Sequence, residues 1–165
     1  MNNLSLNLKG LDLEELFLDV YEQINLLSAG KHHIEIVELE PVHIIADADR
    51  IKQVLLNLGH NALKFTPAGG WIQLGLKRDK EHVIIYVSDT GPGISEEELP
   101  HIFEIYYSKE QKAIKTNLEK GYGLGLPISS FFVKKHNGMI IVNTKLGKGS
   151  TFCVFLPLNP EATST

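Results

Sequence analysis

Apolar side chains recur at helical spacing through Leu13, Leu16, Phe17, Val20, Ile24 and Leu27, which predicts an amphipathic packing helix near the start of the chain. Asp12 and Glu15 stand three apart as a capping box, and Gly30 supplies the stop. The period then falls to two, so Ile34 to Leu39 and Val42 to Ala46 read as strands on either side of Glu40-Pro41. Asp47 or Asp49 can cap the next helix, which runs to about Phe65 and ends before Thr66-Pro67-Ala68-Gly69-Gly70. At about 100° per residue its side chains sort into two arcs. Ile51, Val54, Leu55, Leu58, Ala62 and Phe65 form a core face, and Gln53, Asn57, His60, Asn61 and Lys64 a polar one.

Trp71 to Lys77 and His82 to Ser88 predict a hairpin around Arg78 to Glu81, its second strand apolar enough to be central. Ser95 and Glu98 form a further capping box ahead of a short helix through Phe103. Ser108 to Lys120 is polar, lysine-rich and aperiodic, the composition of a lid loop. A helix from Leu126 to about Lys135 follows, with Pro127 in its first turn and Gly138 at its end. Met139 to Thr144 and Ser150 to Leu158 then pair across Lys145 to Gly149.

This organisation suits one domain over residues 11–158, with a polar lead or end of a linker at 1–10 and a frayed tail at 159–165. Among the 165 residues, 16 basic against 20 acidic side chains give a net charge of -4, which offers nucleic acid little attraction. Cys153 is the only cysteine, so no internal disulfide forms. Its place between Phe152 and Leu156 predicts a packing role. No apolar run approaches the roughly 20 residues of a bilayer span, and Met1 to Asn7 is too polar for a signal peptide. The expectation is a domain without membrane contact.

The chemistry concentrates around two glycine-rich turns, Asp89-Thr90-Gly91-Pro92-Gly93 and Gly121-Tyr122-Gly123-Leu124-Gly125. An aspartate closing a buried strand can accept from an adenine amino group, though a turn-forming role explains it equally well. The second turn opens a helix, whose free amides favour phosphate. It is not the dinucleotide pattern, since its third glycine falls one position early, and Gly147-Lys148-Gly149-Ser150 lacks the lysine-serine pair of a P-loop. Asn57, Asn61 and Lys64 point one way along the helix, where an amide oxygen suits magnesium and a lysine suits phosphate. Polar helix faces also simply meet water. The seven histidines are scattered, and His32-His33 lacks metal-pair spacing.

Taken in order, these segments resemble the catalytic ATP-binding domain of sensor histidine kinases, in the group that includes gyrase-type topoisomerases and heat-shock chaperones. Asp49 through Asn57, Asn61, Lys64 and Thr66 is similar to the N box, Asp89 to Ile94 to the G1 box, and Ile102 to Tyr107 to the F box. Gly121 to Leu126 resembles the G2 box and Gly147 to Phe152 the final glycine-threonine box. The resemblance covers Leu11 to Leu158 and implies a two-layer α+β sandwich, the Bergerat fold, in which about three helices cover one face of a mixed sheet of about five strands under an ATP lid.

By the same resemblance Asn61 ligates magnesium, Lys64 contacts phosphate, Asp89 reads adenine and Thr151 supports Asp89 by hydrogen bonding. Asn57, Gly91, Gly93, Ile94, Tyr107, Gly121, Gly123, Leu124, Gly125 and Leu126 complete an ATP/ADP site. Two positions depart from the family pattern: Ser108 replaces the arginine after the F-box aromatic pair, and Gly59-His60 loosens the N-box helix. Hydrolysing relatives carry a glutamate one turn before the magnesium asparagine; here that residue is Asn57, which is no general base.

The implied function is transfer of the γ-phosphate of Mg-ATP to a histidine on a dimerisation segment, upstream of a response regulator, at a cytoplasmic location. No histidine in this sequence is followed by the acidic residue and proline of a phosphoacceptor box. A non-catalytic nucleotide module and an anti-sigma-type serine kinase are the alternatives.

Overall fold

Aspartates start the first two helices, as the capping pattern requires. In the computed structural model, which describes residues 5–104 and 125–158, Asp12 accepts the Glu15 N–H at 3.2 Å and Asp47 the Arg50 N–H at 3.3 Å. The order is β1 (Lys9–Asp12), α1 (Leu13–Ser28), β2 (His33–Leu39), β3 (His43–Ala46), α2 (Ala48–Phe65), β4 (Trp71–Arg78) and β5 (His82–Asp89). A 3-10 turn (Leu99–His101), α3 (Gly125–Lys135), β6 (Met139–Lys145) and β7 (Gly149–Pro157) follow.

The main sheet has five strands in the order β2-β4-β5-β7-β6, and β1 pairs with β3 separately. β2 runs parallel to β4 and every other pairing is antiparallel, so the sheet is mixed, as expected. Alternation gives it two unlike faces. Ile72, Leu74 and Leu76, Val83, Ile85 and Val87, and Phe152, Val154 and Leu156 are buried in one core with Leu13, Phe17 and Ile24 of α1 and Ile51, Val54, Leu55 and Leu58 of α2. The result is the two-layer α+β sandwich.

Several local features differ from the sequence pattern. β1 lies in what reads as a polar lead, because its register with β3, Lys9 opposite Ala46, is a non-local pairing. Ser95 does accept from the Glu98 N–H at 3.2 Å, yet only the 3-10 turn forms behind it. Leu27 and Phe65 are exposed in the last turns of α1 and α2, where the adjacent Ser28 and Thr66 take the buried positions instead. Cys153 is half-buried on the outer sheet face; burial pushes its thiol pKa up, with Lys77 pulling the other way. Gly59 has a packing reason: a Cβ there would strike the Ile24 side chain, so the small residue sets how closely α1 and α2 approach.

α3 is fastened to α2 at both ends. Near its C-terminal end the buried His136 ring takes the Asp47 N–H on Nε2 at 3.0 Å, and its Nδ1 donates to the Phe132 carbonyl at 2.8 Å. A carbonyl only accepts, so this histidine is the neutral Nδ1–H tautomer. Asp47 also accepts the Asn7 N–H at 2.9 Å, and the Arg50 guanidinium sits 4.9 Å over the Phe132 ring. His136→Ala strands a buried N–H and should cost about 2–3 kcal/mol in urea unfolding. A loss under about 0.5 kcal/mol, the usual size of a surface change, contradicts this structural role.

Candidate nucleotide-binding site

The polar arc of α2 forms as the periodicity requires. Asn57 and Asn61 are half-buried, while His60 and Lys64 are exposed. The Asn57 amide donates to the Gly125 carbonyl and to the Ser129 hydroxyl, both at 3.2 Å. Ser129 is fully buried, so this contact holds the first turn of α3 against the middle of α2. The helix end that the second glycine turn leads into is thereby fixed beside Asn57 and the amide one turn further on, Asn61. The Lys64 ammonium lies 5.3 Å from the Phe65 ring centroid, at the C-terminal end of the same face.

Asp89 closes β5 with Ile72 and Ser150 as cross-strand neighbours, on the face that carries Val83, Ile85 and Val87. Its carboxylate accepts the Gly91 N–H at 2.9 Å. Burial raises the Asp89 pKa above the ordinary carboxylate value, opposed by the Gly91 and Ser150 backbone N–H groups. The second oxygen and the remaining lone pairs of this half-buried carboxylate leave it further acceptor capacity.

The turn after Asp89 is bolted to the β6–β7 hairpin. Ile94 N–H donates to the Thr144 hydroxyl at 2.8 Å, Thr144 and Ser150 hydroxyls pair at 2.7 Å, and Gly147 N–H donates to the Pro92 carbonyl at 2.7 Å. Gly93 (φ 76°) and Gly149 (φ 115°) make this possible, because a Cβ at either would collide with the backbone of Lys145 or Asp89 respectively.

Thr151 is placed otherwise than expected. Its hydroxyl pairs with Ser88 Oγ at 2.7 Å, and it faces the opposite side of the sheet from Asp89. Strand alternation is the reason: Ser150 shares the inward parity of Phe152, Val154 and Leu156, so Ser150 lies against Asp89 and Thr151 cannot. The run of apolar residues at even positions of this strand already carries that signal. Gly91, Gly93 and Ile94 sit in the bolted turn, and Gly125 and Leu126 open α3, Leu126 packing on the core. Tyr107, Gly121, Gly123 and Leu124 lie outside the described residues, as do Ser108 and the lid lysines.

Comparison with known proteins gives this geometry a family. Residues 46–160 match the model described as histidine kinase-, DNA gyrase B-, and HSP90-like ATPase. The adaptive-response sensory kinase SasA of Synechococcus sp. (strain JA-3-3Ab) is 45% identical over 125 residues, 74% of this chain and 31% of its own length. Sensor protein SrrB of Staphylococcus aureus is 40% identical over 115 residues, 70% of this chain and 19% of its length. The chain thus spans less than a third of either relative. Among solved structures, full-length ShkA in complex with AMPPNP superposes with a TM-score of 0.79 at 32% identity, covering 93% of this chain and 32% of that one. The catalytic domain of histidine kinase ThkA gives 0.75 at 29% identity, with 94% and 99% covered. With the fold, the motif order and the relatives in agreement, the chain belongs to the histidine kinase-, DNA gyrase B- and HSP90-like ATPase family, as an ATP-binding catalytic domain of the sensor histidine kinase type.

Proposed function

We propose that this domain binds Mg-ATP between the polar face of α2, the Asp89 turn and the start of α3, and passes the γ-phosphate to a histidine on a dimerisation segment of the parent kinase. The observation that carries the reading is the pairing of Asn57 with Gly125 and Ser129. It brings the phosphate-cradling end of α3 onto the helix that bears Asn61, and it puts an amide, already engaged as a donor, where hydrolysing relatives carry a base. Nothing at that position accepts a proton from water.

Each remaining residue has a defined task in this proposal. Asp89 accepts from the adenine amino group and leaves a guanine edge unpaired, while Gly91, Gly93, Ile94 and Leu126 shape the walls around the base. Lys64 neutralises phosphate charge at the far end of α2. Ser150, in place of Thr151, supports the Asp89 strand end. Among the described residues no three His, Cys, Asp or Glu side chains converge on a metal site. In this reading the ion is held largely by phosphate and water oxygens, with the Asn61 amide oxygen as the protein's contribution. Bound there, magnesium would supply charge neutralisation to the polyphosphate.

The proposed partners are the histidine-bearing dimerisation helices and, through the phosphohistidine, a response regulator; the proposed location is cytoplasmic. No described helix is long and apolar enough to cross a membrane. Calorimetric titration tests the binding step. ATP and ADP should bind with magnesium and more weakly without it, and GTP should bind at least about tenfold more weakly than ATP, the worth of one missed hydrogen bond to a charged acceptor. Equal affinity for ATP and GTP contradicts the role of Asp89.

A further inference from the structure

The face of the sheet turned away from α2 carries a second polar site. Ser88 of β5, Thr151 of β7 and Asn143 of β6 stand side by side in register, and all share the outward parity. Lys145 and Lys148 of the β6–β7 hairpin rise beside this row, and together these residues line an open basin of about 310 Å³. Asp89, Thr144, Gly149 and Ser150 complete the lining at the end of the sheet; Asp89, Thr144 and Ser150 have the inward parity, and the Asp89 carboxylate holds the Gly91 N–H on that side.

The donors in this basin outnumber its acceptors. Ser88 and Thr151 hydroxyls bond to one another at 2.7 Å, which uses one of their two hydrogens and leaves the other O–H to donate outward. Asn143 is exposed and offers an amide N–H2. Among the described residues neither Lys145 nor Lys148 lies within ion-pair distance of a carboxylate. The nearest acid of the row, Glu35, is two strands beyond Ser88, roughly 10 Å away at the usual strand spacing, and accepts the Gln73 amide at 2.7 Å. Among the described residues the two ammonium groups thus have no carboxylate within ion-pair distance, and the polar side chains of the row beside them are neutral.

We propose that this basin is a binding site for a phosphate-class anion, distinct from the nucleotide cleft and on the opposite face of the sheet. A phosphate brings up to two charges and three or more acceptor oxygens, which matches two ammonium groups, an amide and a hydroxyl. A carboxylate brings one charge against two ammonium groups and so leaves one of them uncompensated. The basin is roomier than one phosphate requires and open to solvent, so the phosphate can be free or carried on a small organic molecule. The assignment does not depend on the nucleotide reading, because none of Ser88, Asn143, Lys145 or Lys148 serves that site.

Backbone amide NMR on the intact chain tests it, with inorganic phosphate and glycerol phosphate titrated separately against sodium chloride at matched ionic strength. The expected result is saturable shifts confined to Ser88 and residues 143–151, with a midpoint on the order of 1 mM, the scale of a few charge-assisted contacts. Saturation by both ligands assigns the site to phosphate itself, and saturation by glycerol phosphate alone to a phosphorylated small molecule; either supports the proposal. The doubly substituted Lys145→Gln/Lys148→Gln chain should lose about tenfold in affinity, and Lys148→Gln alone about threefold, which keeps the test decisive should the double variant fold poorly. Shifts that rise linearly without saturating, that survive the lysine substitutions, or that fall only on Asn57, Asn61 and Gly125 overturn it.

Discussion

Asp89→Asn is expected to lower ATP affinity by roughly ten- to a hundredfold while leaving the unliganded domain at least as stable as the native one. The two halves of this result have opposite causes. The affinity falls because the charged acceptor proposed to face the adenine amino group becomes an amide, which has fewer acceptor sites and presents a competing donor. The fold does not suffer, because the asparagine oxygen can still accept the Gly91 N–H that Asp89 holds at 2.9 Å. Burial raises the Asp89 pKa, so the protonated form is the one the fold favours: its stabilisation is fully present below the unfolded carboxylate value and is lost as pH rises through the raised folded value. At neutral pH the ionised group is therefore a liability to the fold, and the amide removes it. Calorimetry and urea unfolding on one preparation read both effects. Normal ATP binding, or a stability loss above about 1 kcal/mol, the scale of an ordinary destabilising substitution, returns Asp89 to a turn-forming role.

Asn61→Ala should abolish productive nucleotide use, with phosphoryl transfer falling by about a hundredfold or more, the scale of removing one preorganised charge-stabilising contact. The side chain is half-buried on α2, so truncation leaves the helix intact and removes the amide oxygen proposed for magnesium. Asn61→Asp should fail as well, since a carboxylate in that place repels the polyphosphate or holds the ion without releasing it to the reaction. Unchanged Mg-ATP affinity together with unchanged transfer in both variants removes Asn61 from the site. The comparison with His136→Ala is informative: that change acts on stability, and Asn61→Ala on nucleotide use alone.

Much of this was legible in the residues, for identifiable reasons. α2 was readable, its cap narrowed to Asp47 or Asp49 and its end placed at Phe65, because a capping aspartate, a clean two-arc periodicity and a proline-glycine stop all agree; the structure selects Asp47. The strands flanking Asp89 were readable because a continuous apolar alternation meets turn residues at both ends. Pairings were not. The parallel register of β2 against β4 and the β1–β3 ribbon join segments far apart in sequence, and no local pattern encodes which edges meet. The exchange of Ser150 for Thr151 beside Asp89 shows a different failure. The motif likeness placed a hydroxyl there, while the pleat decides which of two adjacent hydroxyls faces inward, and that parity is visible in Phe152, Val154 and Leu156. Gly59 looked like a weakness in the helix until the crossing with Ile24 gave it a purpose.

The central claim is that this domain transfers phosphate and does not spend it on water. It is tested by incubating the chain with Mg-ATP labelled in the γ-phosphate, alone and with a dimerisation hairpin of the parent kinase that carries an accessible histidine. The account predicts acid-labile label on that histidine, none on the chain itself and little free phosphate, since Asn57 cannot take a proton from water. Steady phosphate release by the chain alone at rates on the order of 10 per second, the median for enzymes, with the histidine left unlabelled, would contradict it.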